Sequence, residues 1–364
     1  MKKILIVSNN QFGYLTDTLK YCEYLGNKYK IEVICVDNGL AKIINENIKV
    51  HYVKTKNKYI KRIIFLKALK KILGVLNPDL IFIDYFVGCS TVKLFFGNRF
   101  VYNLDIRTGS VCINKYKRKL MNLLLKAECR FFENISIISK GLKEELRINN
   151  TTIHWLPLGA DLNLTNKDNS IEKSECKNYK LIYVGTLLRR NIWETVLGLK
   201  YFFDMNYDET FNISYDIIGF SNNLDDEEII KKYINDFGLT DIIKFHGRLN
   251  YNSALEFISK ADIGISYIPI TEYFNFQPPT KTFEYLLSGI PCIATNTFEN
   301  AQIITKINGV IINDTPKDFC NGLYKLLNYY QQYKSDEIVS SVKDYTWENI
   351  VFNNLEPYIN YICK

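Results

Sequence analysis

The chain has 364 residues, of which 47% are hydrophobic and 23% charged, and its formal net charge is +7. This length allows two domains with separate cores, and the composition excludes a disordered, collagen-like or low-complexity protein. The nine cysteines include no Cys-x-x-Cys pair, and the three histidines are far apart in the sequence. We therefore predict reduced, buried thiols and no structural metal site.

Positive charge is concentrated in the first part of the chain. Residues 1–165 contain 27 Lys and Arg against 13 Asp and Glu, whereas the remaining residues contain 19 against 26. Such a split suggests that one half faces a polyanion or an anionic surface, and the alternative is a solvated lysine-rich face. No recognised nucleic-acid-binding module is visible, so an anionic membrane surface is the preferred polyanion.

The sequence contains no segment that predicts a membrane-spanning helix or a secretory signal. The longest apolar stretch, residues 80–96, is interrupted by Asp84 and Lys93. The apolar run that begins at Ile4 is too short for the core of a signal peptide. We predict a cytoplasmic protein, with peripheral attachment to the inner face of the membrane as an open possibility.

Short apolar runs alternate with longer amphipathic stretches along the whole chain, which is the pattern of βαβ units. The first series of predicted strands comprises residues 4–7, 31–36, 80–83, 100–103 and 135–138. The second series comprises residues 179–184, 215–218, 243–245, 263–266, 292–294 and 310–312. The predicted fold class is therefore α/β, with two doubly wound parallel sheets of the Rossmann type.

The boundary between the two predicted domains lies near residue 162. The Pro-containing segment 155–161 and the polar stretch 163–177 have the composition of an interdomain hinge. This gives an N-terminal domain over residues 1–162 and a second domain over residues 163–345. Ligands of such sheets bind at the carboxyl ends of the strands, so we expect two facing sheets and an active site in the cleft between domains.

Two segments of the first predicted domain carry candidate functional residues. Gly13 and Tyr14 follow the first strand, and the glycine would let the backbone approach a ligand. Asp105 and Arg107 lie at the end of the strand near residue 103. Asp105 could act as a general base and Arg107 could bind a diphosphate, or the two could form an ion pair at the strand end.

Two basic amphipathic helices are predicted in the same half. Residues 54–71 contain eight Lys and Arg, and an apolar helical face that extends from Ile64 to Leu76 includes Phe65, Leu69 and Val75. In residues 115–131, a stripe of Lys and Arg lies beside an apolar stripe of Tyr116, Leu120, Leu123, Ala127 and Phe131. Each helix could lie on anionic lipid, but packing of the apolar stripe against the sheet is slightly favoured for either helix alone.

The strongest signal in the second half is a short helix predicted to begin near Thr280. Two prolines precede it, Thr280 can cap it, and residues 288–291 end it. The amino end of a helix favours an anion such as diphosphate, and Lys281 adds a positive charge there. Glu284 could accept two hydrogen bonds from the vicinal hydroxyls of a ribose. The competing interpretation is a capped helix with an ordinary first-turn carboxylate.

Several segments together resemble family 4 retaining glycosyltransferases of the GT-B fold. The similar segments are 156–161 (LPLGAD), 181–187 (LIYVGTL), 245–248 (FHGR), 261–266 (ADIGIS) and 279–291 (PTKTFEYLLSGIP). The last of these resembles a donor-binding loop of the Pro-Thr-Lys type. The resemblance covers the second domain and, more loosely, the first, and it implies that residues 346–364 form a terminal helix crossing back to the first domain.

The resemblance also assigns roles to residues. It implies that Arg190 and Lys281 neutralise the departing diphosphate and that Asp105 acts on the acceptor. The implied donor-binding residues are Gly185, Gly247, Arg248, Gln277, Thr280 and Glu284. Gly13, Tyr14 and Arg107 are implied on the acceptor or phosphate side.

One position departs from the family pattern. Phe276 stands where the family often has the first of two glutamates separated by seven residues, of which Glu284 matches the second. The carboxylate that would contact the donor sugar is therefore missing. Asn275, Gln277 and Thr280 are the candidate substitutes.

The resemblance implies a retaining, hexosyltransferase-type enzyme that needs neither metal nor cofactor. Such an enzyme moves a sugar from a nucleoside-diphosphate donor to a hydroxyl of a saccharide or lipid-linked acceptor, in surface polysaccharide biosynthesis. Two alternatives remain at this point. One is a nucleotide-sugar epimerase of the same fold, and the other is a non-catalytic binding subunit, which the replacement at Phe276 favours.

Overall fold

The computed structural model describes residues 1–54, 60–149, 152–162, 177–205 and 211–364. These residues form two compact units, one of Met1–Gly159 with Trp347–Lys364 and one of Ala160–Thr346. The unit limits differ by a few residues from the predicted domain limits at 162 and 345. Most of the predicted hinge, residues 163–176, and residues 55–59 of the first basic stretch lie outside the described residues.

The first unit is built on a parallel sheet. Its described strands are β1 (Lys3–Ser8), β2 (Lys30–Val36), β3 (Ile48–Val53), β4 (Leu80–Asp84), β5 (Val101–Ile106), β6 (Asn134–Ile137) and β7 (Thr152–Trp155). Their order across the sheet is β3-β2-β1-β4-β5-β6-β7, and all neighbouring pairs are parallel. The two edge strands, β3 and β7, are absent from the sequence-based series of strands.

Helices connect these strands, as the βαβ pattern predicts, except between β2 and β3, where the described residues form no helix. They are α1 (Thr16–Leu25), α2 (Lys61–Leu76), α3 (Ser90–Phe96), α4 (Lys115–Cys129) and α5 (Lys140–Leu146), with a 3₁₀ turn at Gly97–Arg99. The central strands are buried on both faces, with Leu5, Ile81 and Leu104 inaccessible to solvent. Burial on both faces explains why these strands are continuous apolar runs in the sequence.

The second unit repeats the same plan. Its described strands are β8 (Lys177–Thr186), β9 (Phe211–Phe220), β10 (Ile243–Gly247), β11 (Ile263–Ser266), β12 (Cys292–Thr295) and β13 (Gly309–Ile312). They are parallel in the order β10-β9-β8-β11-β12-β13. A buried cluster that includes Leu181, Ile217, Ile265 and Phe319 forms the core on one side of this sheet.

The helices of the second unit are α6 (Trp193–Asp204), α7 (Leu224–Asp236), α8 (Tyr251–Lys260), α9 (Thr280–Leu287), α10 (Phe298–Ile303), α11 (Pro316–Asn328) and α12 (Ser335–Val342). 3₁₀ turns lie at Tyr330–Gln332 and Lys343–Tyr345. The acidic residues Asp225 and Asp226 lie in the first turn of α7, where negative charge is favourable. The two sheets and their helices confirm the predicted fold class of two Rossmann-like domains.

The C-terminal segment belongs to the first unit. It consists of α13 (Trp347–Asn349), a π-helical segment Ile350–Leu355 and α14 (Glu356–Ile362). Trp347 is buried and meets the ring of Tyr21 edge to face at 6.1 Å. Tyr358 donates a hydrogen bond of 2.6 Å to Asn103 Oδ1 and stacks on His154.

The two basic helices differ from the sequence prediction in what they bury. Helix α2 buries Leu66 and Leu73 in addition to Phe65 and Leu69, whereas Val75, assigned to the apolar face, is 85% exposed. In α4 the predicted apolar stripe is exposed, so its packing against the sheet, the slightly favoured interpretation, is wrong. Within the described residues no helix combines the length and the apolar character that crossing a bilayer requires.

Candidate functional site

The second unit contains a pocket of about 340 Å³ at the carboxyl ends of β8 and β11. These two strands are neighbours in the sheet, and the chain leaves them in opposite directions across it. Open α/β sheets bind their ligands at such a reversal of strand order. The lining residues are Tyr183, Val184, Gly185, Thr186, Arg190, Ile265, Ser266, Tyr267, Ile268, Phe274, Gln277, Pro278, Pro279, Thr280 and Lys281.

Helix α9 is fixed below this pocket by buried hydrogen bonds. The hydroxyl of Thr282 donates to Asn300 Oδ1 at 3.0 Å, and it lies 2.8 Å from Ser266 Oγ, which can donate to it. The hydroxyl of Tyr285 accepts from the backbone N–H of Val184 at 2.8 Å. A side chain at Gly264 would bring its Cβ within 2.3 Å of the Tyr285 ring, so this close contact of helix and strand requires glycine.

The amino end of α9 faces the pocket through Thr280 and Lys281. The helix begins at Thr280 with Pro279 as its N-cap, and no side chain caps it. The predicted capping role of Thr280 is therefore wrong, because the threonine is already inside the helix. The first backbone N–H groups of a helix have no intrahelical acceptor, and together with Lys281 they make this wall of the pocket electropositive.

Arg190 supplies a second positive charge to the pocket. Its guanidinium lies 3.8 Å from the centre of the Phe274 ring, a cation–π contact that holds the side chain in place. Burial lowers the pKa of Arg190, an effect that the nearby Tyr183 and Tyr273 oppose. An arginine pKa is so high at the outset that the group stays charged.

Glu284 lies one turn into α9, and its side chain is buried. Its carboxylate accepts a hydrogen bond from Lys281 Nζ, so the two predicted ligand-binding groups are paired with each other. Glu284 is adjacent to the pocket through this partner but does not itself line it.

Gly247 and Arg248 lie at the end of β10 and do not line the pocket either. Gly247 has a φ of +66°, which a residue without a Cβ adopts at little cost. The Arg248 guanidinium lies 4.4 Å from the centre of the Phe220 ring. The structure therefore brings together Gly185, Arg190, Gln277, Thr280 and Lys281, and leaves these two residues outside the group.

The position of the missing glutamate is filled by an aromatic contact. The Phe276 ring packs against the Phe298 ring with centroids 5.3 Å apart. Asn275 Oδ1 accepts from the backbone N–H of Phe298 at 2.7 Å, which occupies this amide in holding the loop to α10. Of the three candidate substitutes, only Gln277 and Thr280 line the pocket.

Asp105 and Arg107 occupy the interior of the first unit. Asp105 is 1% exposed and lies inside β5, where Ser136 Oγ donates to it at 2.6 Å. Arg107 donates to Asp17 and to the backbone oxygen of Leu156, and its Nε lies 3.8 Å from Asp105. This arrangement matches the alternative of a strand-end ion pair, and the roles of the two residues toward acceptor and diphosphate stay predictions.

A buried group of carboxylates surrounds that ion pair. Burial raises the pKa of Asp105 to about 6, although Arg107 opposes the shift. Burial and the charge of Asp105 raise the pKa of Asp84 to about 7. Asp84 lies at the end of β4 and accepts from Thr18 Oγ1 at 3.1 and 3.2 Å.

Gly13 and Tyr14 form part of the turn after β1. Gly13 has a φ of +91°, and a Cβ there would collide with the side chain of Ile43. The half-exposed Tyr14 donates its hydroxyl hydrogen to the backbone oxygen of Ala41 at 3.1 Å. Glycine is therefore required here by local packing.

The aromatic side chains of the pocket were not among the residues predicted from the sequence. Tyr183, Tyr267 and Phe274 line it and shape the space around Arg190. Tyr183 is next to last in the predicted strand 179–184 and Tyr267 directly follows the predicted strand 263–266, so their position at a carboxyl edge was a usable signal. Phe274 lies in the irregular loop after β11, where no periodicity indicates which ring meets an arginine.

Metal-ligating residues do not cluster in the part of the chain that the structure describes. No group of three or more His, Cys, Asp or Glu side chains there is close enough to hold an ion.

Comparison with known proteins identifies the family. Residues 178–329 match the family model of glycosyl transferases group 1, and residues 3–139 match that of glycosyl transferase 4-like domains. The chain is a family 4-type glycosyltransferase. No curated protein sequence matches it significantly.

Solved structures similar to this glycosyltransferase share its GT-B fold at low sequence identity. Sucrose-phosphate synthase from Thermosynechococcus elongatus has a TM-score of 0.75 at 13% identity, with 99% of each chain covered. The HepE protein of Anabaena in complex with UDP has a TM-score of 0.75 at 12% identity, covering 99% of this chain and 100% of that one. The lipopolysaccharide outer core galactosyltransferase WaaB has a TM-score of 0.71 at 14% identity, with 99% of each chain covered.

Proposed function

We propose that the pocket of the second unit binds the nucleoside diphosphate of a nucleotide-sugar donor, whose sugar the enzyme transfers to an acceptor hydroxyl. The observation that carries this proposal is the convergence of Arg190, Lys281 and the first turn of α9 on one pocket. Three sources of positive potential at a strand-order reversal suit a diphosphate. The similarity to a protein crystallised with UDP supports the same ligand class.

The nucleoside end of the donor would be held by Glu284. A carboxylate can accept hydrogen bonds from both ribose hydroxyls, and Glu284 lies one turn behind the pocket wall. Its present partner, Lys281, would turn toward the diphosphate when the donor binds. The donor would thus separate the Lys281–Glu284 ion pair, with the diphosphate as the new partner of Lys281 and the ribose hydroxyls as the new partners of Glu284.

The chemistry we propose is retaining and independent of metal. Arg190, Lys281 and the α9 amides would stabilise the charge that develops on the departing diphosphate. The described lining residues include no carboxylate that could form a covalent sugar intermediate. The acceptor hydroxyl would attack from the face that the diphosphate leaves, and the departing phosphate oxygen would take its proton.

The acceptor we propose is a saccharide or a lipid-linked saccharide in surface polysaccharide biosynthesis. The similarity to WaaB, named as a lipopolysaccharide outer core galactosyltransferase, supports this context. Asp105 has no part in the proposed acceptor activation because it is buried.

The test begins with a thermal-shift panel of UDP, GDP, ADP and their common sugar conjugates. A ligand present at one hundred times its Kd stabilises the native state by about 2.7 kcal/mol, which raises the melting temperature by several degrees. The conjugate that shifts the wild type is then incubated with saccharide acceptors, and release of the nucleoside diphosphate is measured.

Each outcome of the panel has a defined meaning. Acceptor-dependent release, with the product keeping the anomeric configuration of the donor, supports the proposal, and it should persist in EDTA. Isomerisation of the donor without acceptor would instead identify an epimerase. Binding without release under any acceptor would identify a non-catalytic subunit, and no shift with any nucleotide would overturn the assignment of the pocket.

A further inference from the structure

The outward surface of α4 is apolar and uncovered, which is unusual for a helix on a parallel sheet. We define the α4 outer face by its members Tyr116, Leu120, Leu123, Leu124, Ala127 and Phe131. Tyr116 is 84% exposed, Leu123 62% and Leu120 56%. At 100° per residue these side chains occupy one continuous sector of the helix surface.

The exposure of this face follows from how α4 is anchored. The helix buries Arg118, Leu125, Glu128 and Cys129 on the opposite side. The Glu128 carboxylate accepts from the backbone N–H groups of Gly88 and Ser90, at 2.5 and 3.0 Å. These buried polar contacts fix the rotation of the helix, so the leucine-rich face cannot turn inward without breaking them.

The exposed charges that α4 itself places beside its outer face have one sign, and the nearest exposed acid along the chain, Glu133, is paired with Lys93 at 3.6 Å. Lys119, Lys126 and Arg130 flank the apolar sector on one side and Lys117 flanks it on the other. The one acidic residue between 115 and 131 is Glu128, which is buried. An apolar stripe between rows of cations is complementary to a surface with an apolar interior and anionic head groups.

We infer that the α4 outer face docks on an anionic lipid bilayer, with the helix lying in the plane of the interface. A helix of 15 residues is about 22 Å long and is too short to cross a membrane. In the interfacial position its leucines enter the boundary of the acyl chains while the lysines reach the head groups. This places the glycosyltransferase at the surface where a lipid-linked acceptor would lie, but the docking itself does not depend on the proposed reaction.

A second copy of the chain is a less suitable occupant. Two α4 outer faces packed together would bring Lys117, Lys119 and Lys126 of one copy close to the same cations of the other. With no exposed acid on the helix to compensate, this contact is repulsive. An anionic bilayer uses the same charges favourably.

The experiment is co-sedimentation of the full chain with vesicles of phosphatidylcholine alone and of phosphatidylcholine with 40% phosphatidylglycerol. We expect binding to the anionic vesicles that falls steeply with salt, and little binding to the neutral ones. Equal binding to both vesicles, or binding to neither, would overturn the inference.

Two sets of variants test the charged and apolar components separately. Lys117, Lys119 and Lys126→Gln together should lower the partition coefficient on the order of a hundredfold, since each cation contributes about 1 kcal/mol at the surface. The matched control replaces Lys306, Lys317 and Lys325, exposed in the second unit, with Gln, and should change it little.

For the apolar component, Leu120→Ser with Leu123→Ser should weaken binding about tenfold or more. The control pair is Leu224→Ser with Ile307→Ser, two exposed residues of the second unit. All four altered side chains are exposed, so melting temperatures should stay close to that of the wild type. Equal losses in the control sets would show that the attachment is not at α4.

Insertion is measured with a fluorescent residue in the stripe. Leu123→Trp should be quenched by lipids with brominated acyl chains, whereas Leu224→Trp should not. Sedimentation analysis without lipid tests the alternative that a second copy of the chain packs on the α4 outer face. A dimer that is lost in the Leu120 and Leu123 double variant, with vesicle binding unchanged, would overturn the inference in favour of self-association.

Discussion

The two units use one strand order but fill its reversal point in opposite ways. In the second unit, the ends of β8 and β11 open into a pocket that contains Arg190 and Lys281. In the first unit, the ends of β1 and β4 meet at a closed group of polar side chains that includes Asp84 and Thr18. Positive groups face the pocket of the second unit, whereas the first unit buries carboxylates near these strand ends and has a separate pocket beside them, lined in part by Lys61 and Arg62.

This difference shows that the strand order alone does not determine whether a cationic pocket or a buried group of carboxylates forms at the strand ends. The side chains there determine it. Arg107 forms an ion pair with Asp17 and lies near Asp105. Its positive charge is therefore compensated by buried carboxylates of the protein. Arg190 rests on the Phe274 ring, which leaves its hydrogen-bond donors available. The sequence context of the two arginines is similar, since each follows a buried strand, and their partners make the difference.

The largest expected effect is on turnover, from Arg190→Ala. Removing one preorganised group that stabilises a developing anion typically costs about a hundredfold to a thousandfold in kcat. The loss in nucleotide affinity should be smaller, because the charge grows as the diphosphate departs. Rates and Kd values are measured by release of the nucleoside diphosphate and by calorimetry.

The neighbouring residue provides the control for Arg190. Arg189 does not line the pocket and has a φ of +58°, which asparagine tolerates better than alanine. Arg189→Asn should keep kcat within about threefold of the wild-type value, an order below the loss expected at the pocket. Equal losses in both variants would mean that the loop conformation, not the Arg190 charge, is what turnover requires.

The second-largest expected effect is a gain in the unfolding free energy of the Asp84→Asn variant at alkaline pH. The pKa of Asp84 is raised to about 7 in the native state, compared with about 3.9 for an unfolded aspartate. The native state therefore binds the carboxyl proton of Asp84 more tightly than the unfolded state does. The stability that Asp84 contributes through this proton is complete below pH 4 and is lost as the pH rises through 7. Asparagine stays neutral and removes this loss.

Urea unfolding at pH 5 and pH 8 measures the effect. At pH 8 the Asp84→Asn variant should exceed the wild type in unfolding free energy by about 2 kcal/mol, and the difference should shrink at pH 5. The control is Glu46→Gln, at an exposed carboxylate of the same unit. A variant that is less stable than the wild type at pH 8 would contradict the assignment.

Glu284→Gln should weaken nucleotide binding about tenfold while lowering kcat less. The amide keeps one acceptor but loses the charge that strengthens both ribose hydrogen bonds. The Kd is measured by calorimetry with UDP or with whichever nucleoside diphosphate shifts the melting temperature. The control is Glu256→Gln, on the exposed side of α8. Unchanged affinity would place the ribose elsewhere.

The smallest effect is expected for Phe274→Leu. Leucine keeps an apolar side chain but removes the cation–π contact, which contributes about 1 kcal/mol in a partly buried site. Turnover should fall about fivefold, with nucleotide affinity nearly unchanged. Phe276→Leu, in the same loop but packed on Phe298, is the matched control, and an equal loss there would argue against positioning of Arg190.

The sequence predicted the central strands well because each is an apolar run bounded by loops. It missed β3 and β7, which lie at the edges of the sheet. Edge strands are less buried and mix polar with apolar residues, as in residues 48–53, where His51 and Lys49 interrupt the pattern. Alternation with a period of two was the available signal.

Within the site, the motif at α9 and the family resemblance singled out Gly185, Arg190, Thr280 and Lys281, and these residues line one pocket. The pairing of Lys281 with Glu284 could have been read from their spacing, because residues three apart on a helix are neighbours. The burial of Asp105 could not, because it depends on tertiary contacts. For α4, periodicity showed two faces but not which one turns inward. That choice is made by Glu128, whose carboxylate binds backbone amides of a distant segment.

The Lys281–Glu284 pair has a consequence for selectivity among cellular anions. Because Lys281 is paired with Glu284, the pocket offers inorganic phosphate less positive charge than an unpaired lysine would, and breaking the pair for a lone anion would leave a buried carboxylate without a partner. A molecule that brings a diol along with its anion compensates both groups at once. With the donor bound as proposed above, the pair would therefore favour nucleotides over free phosphate.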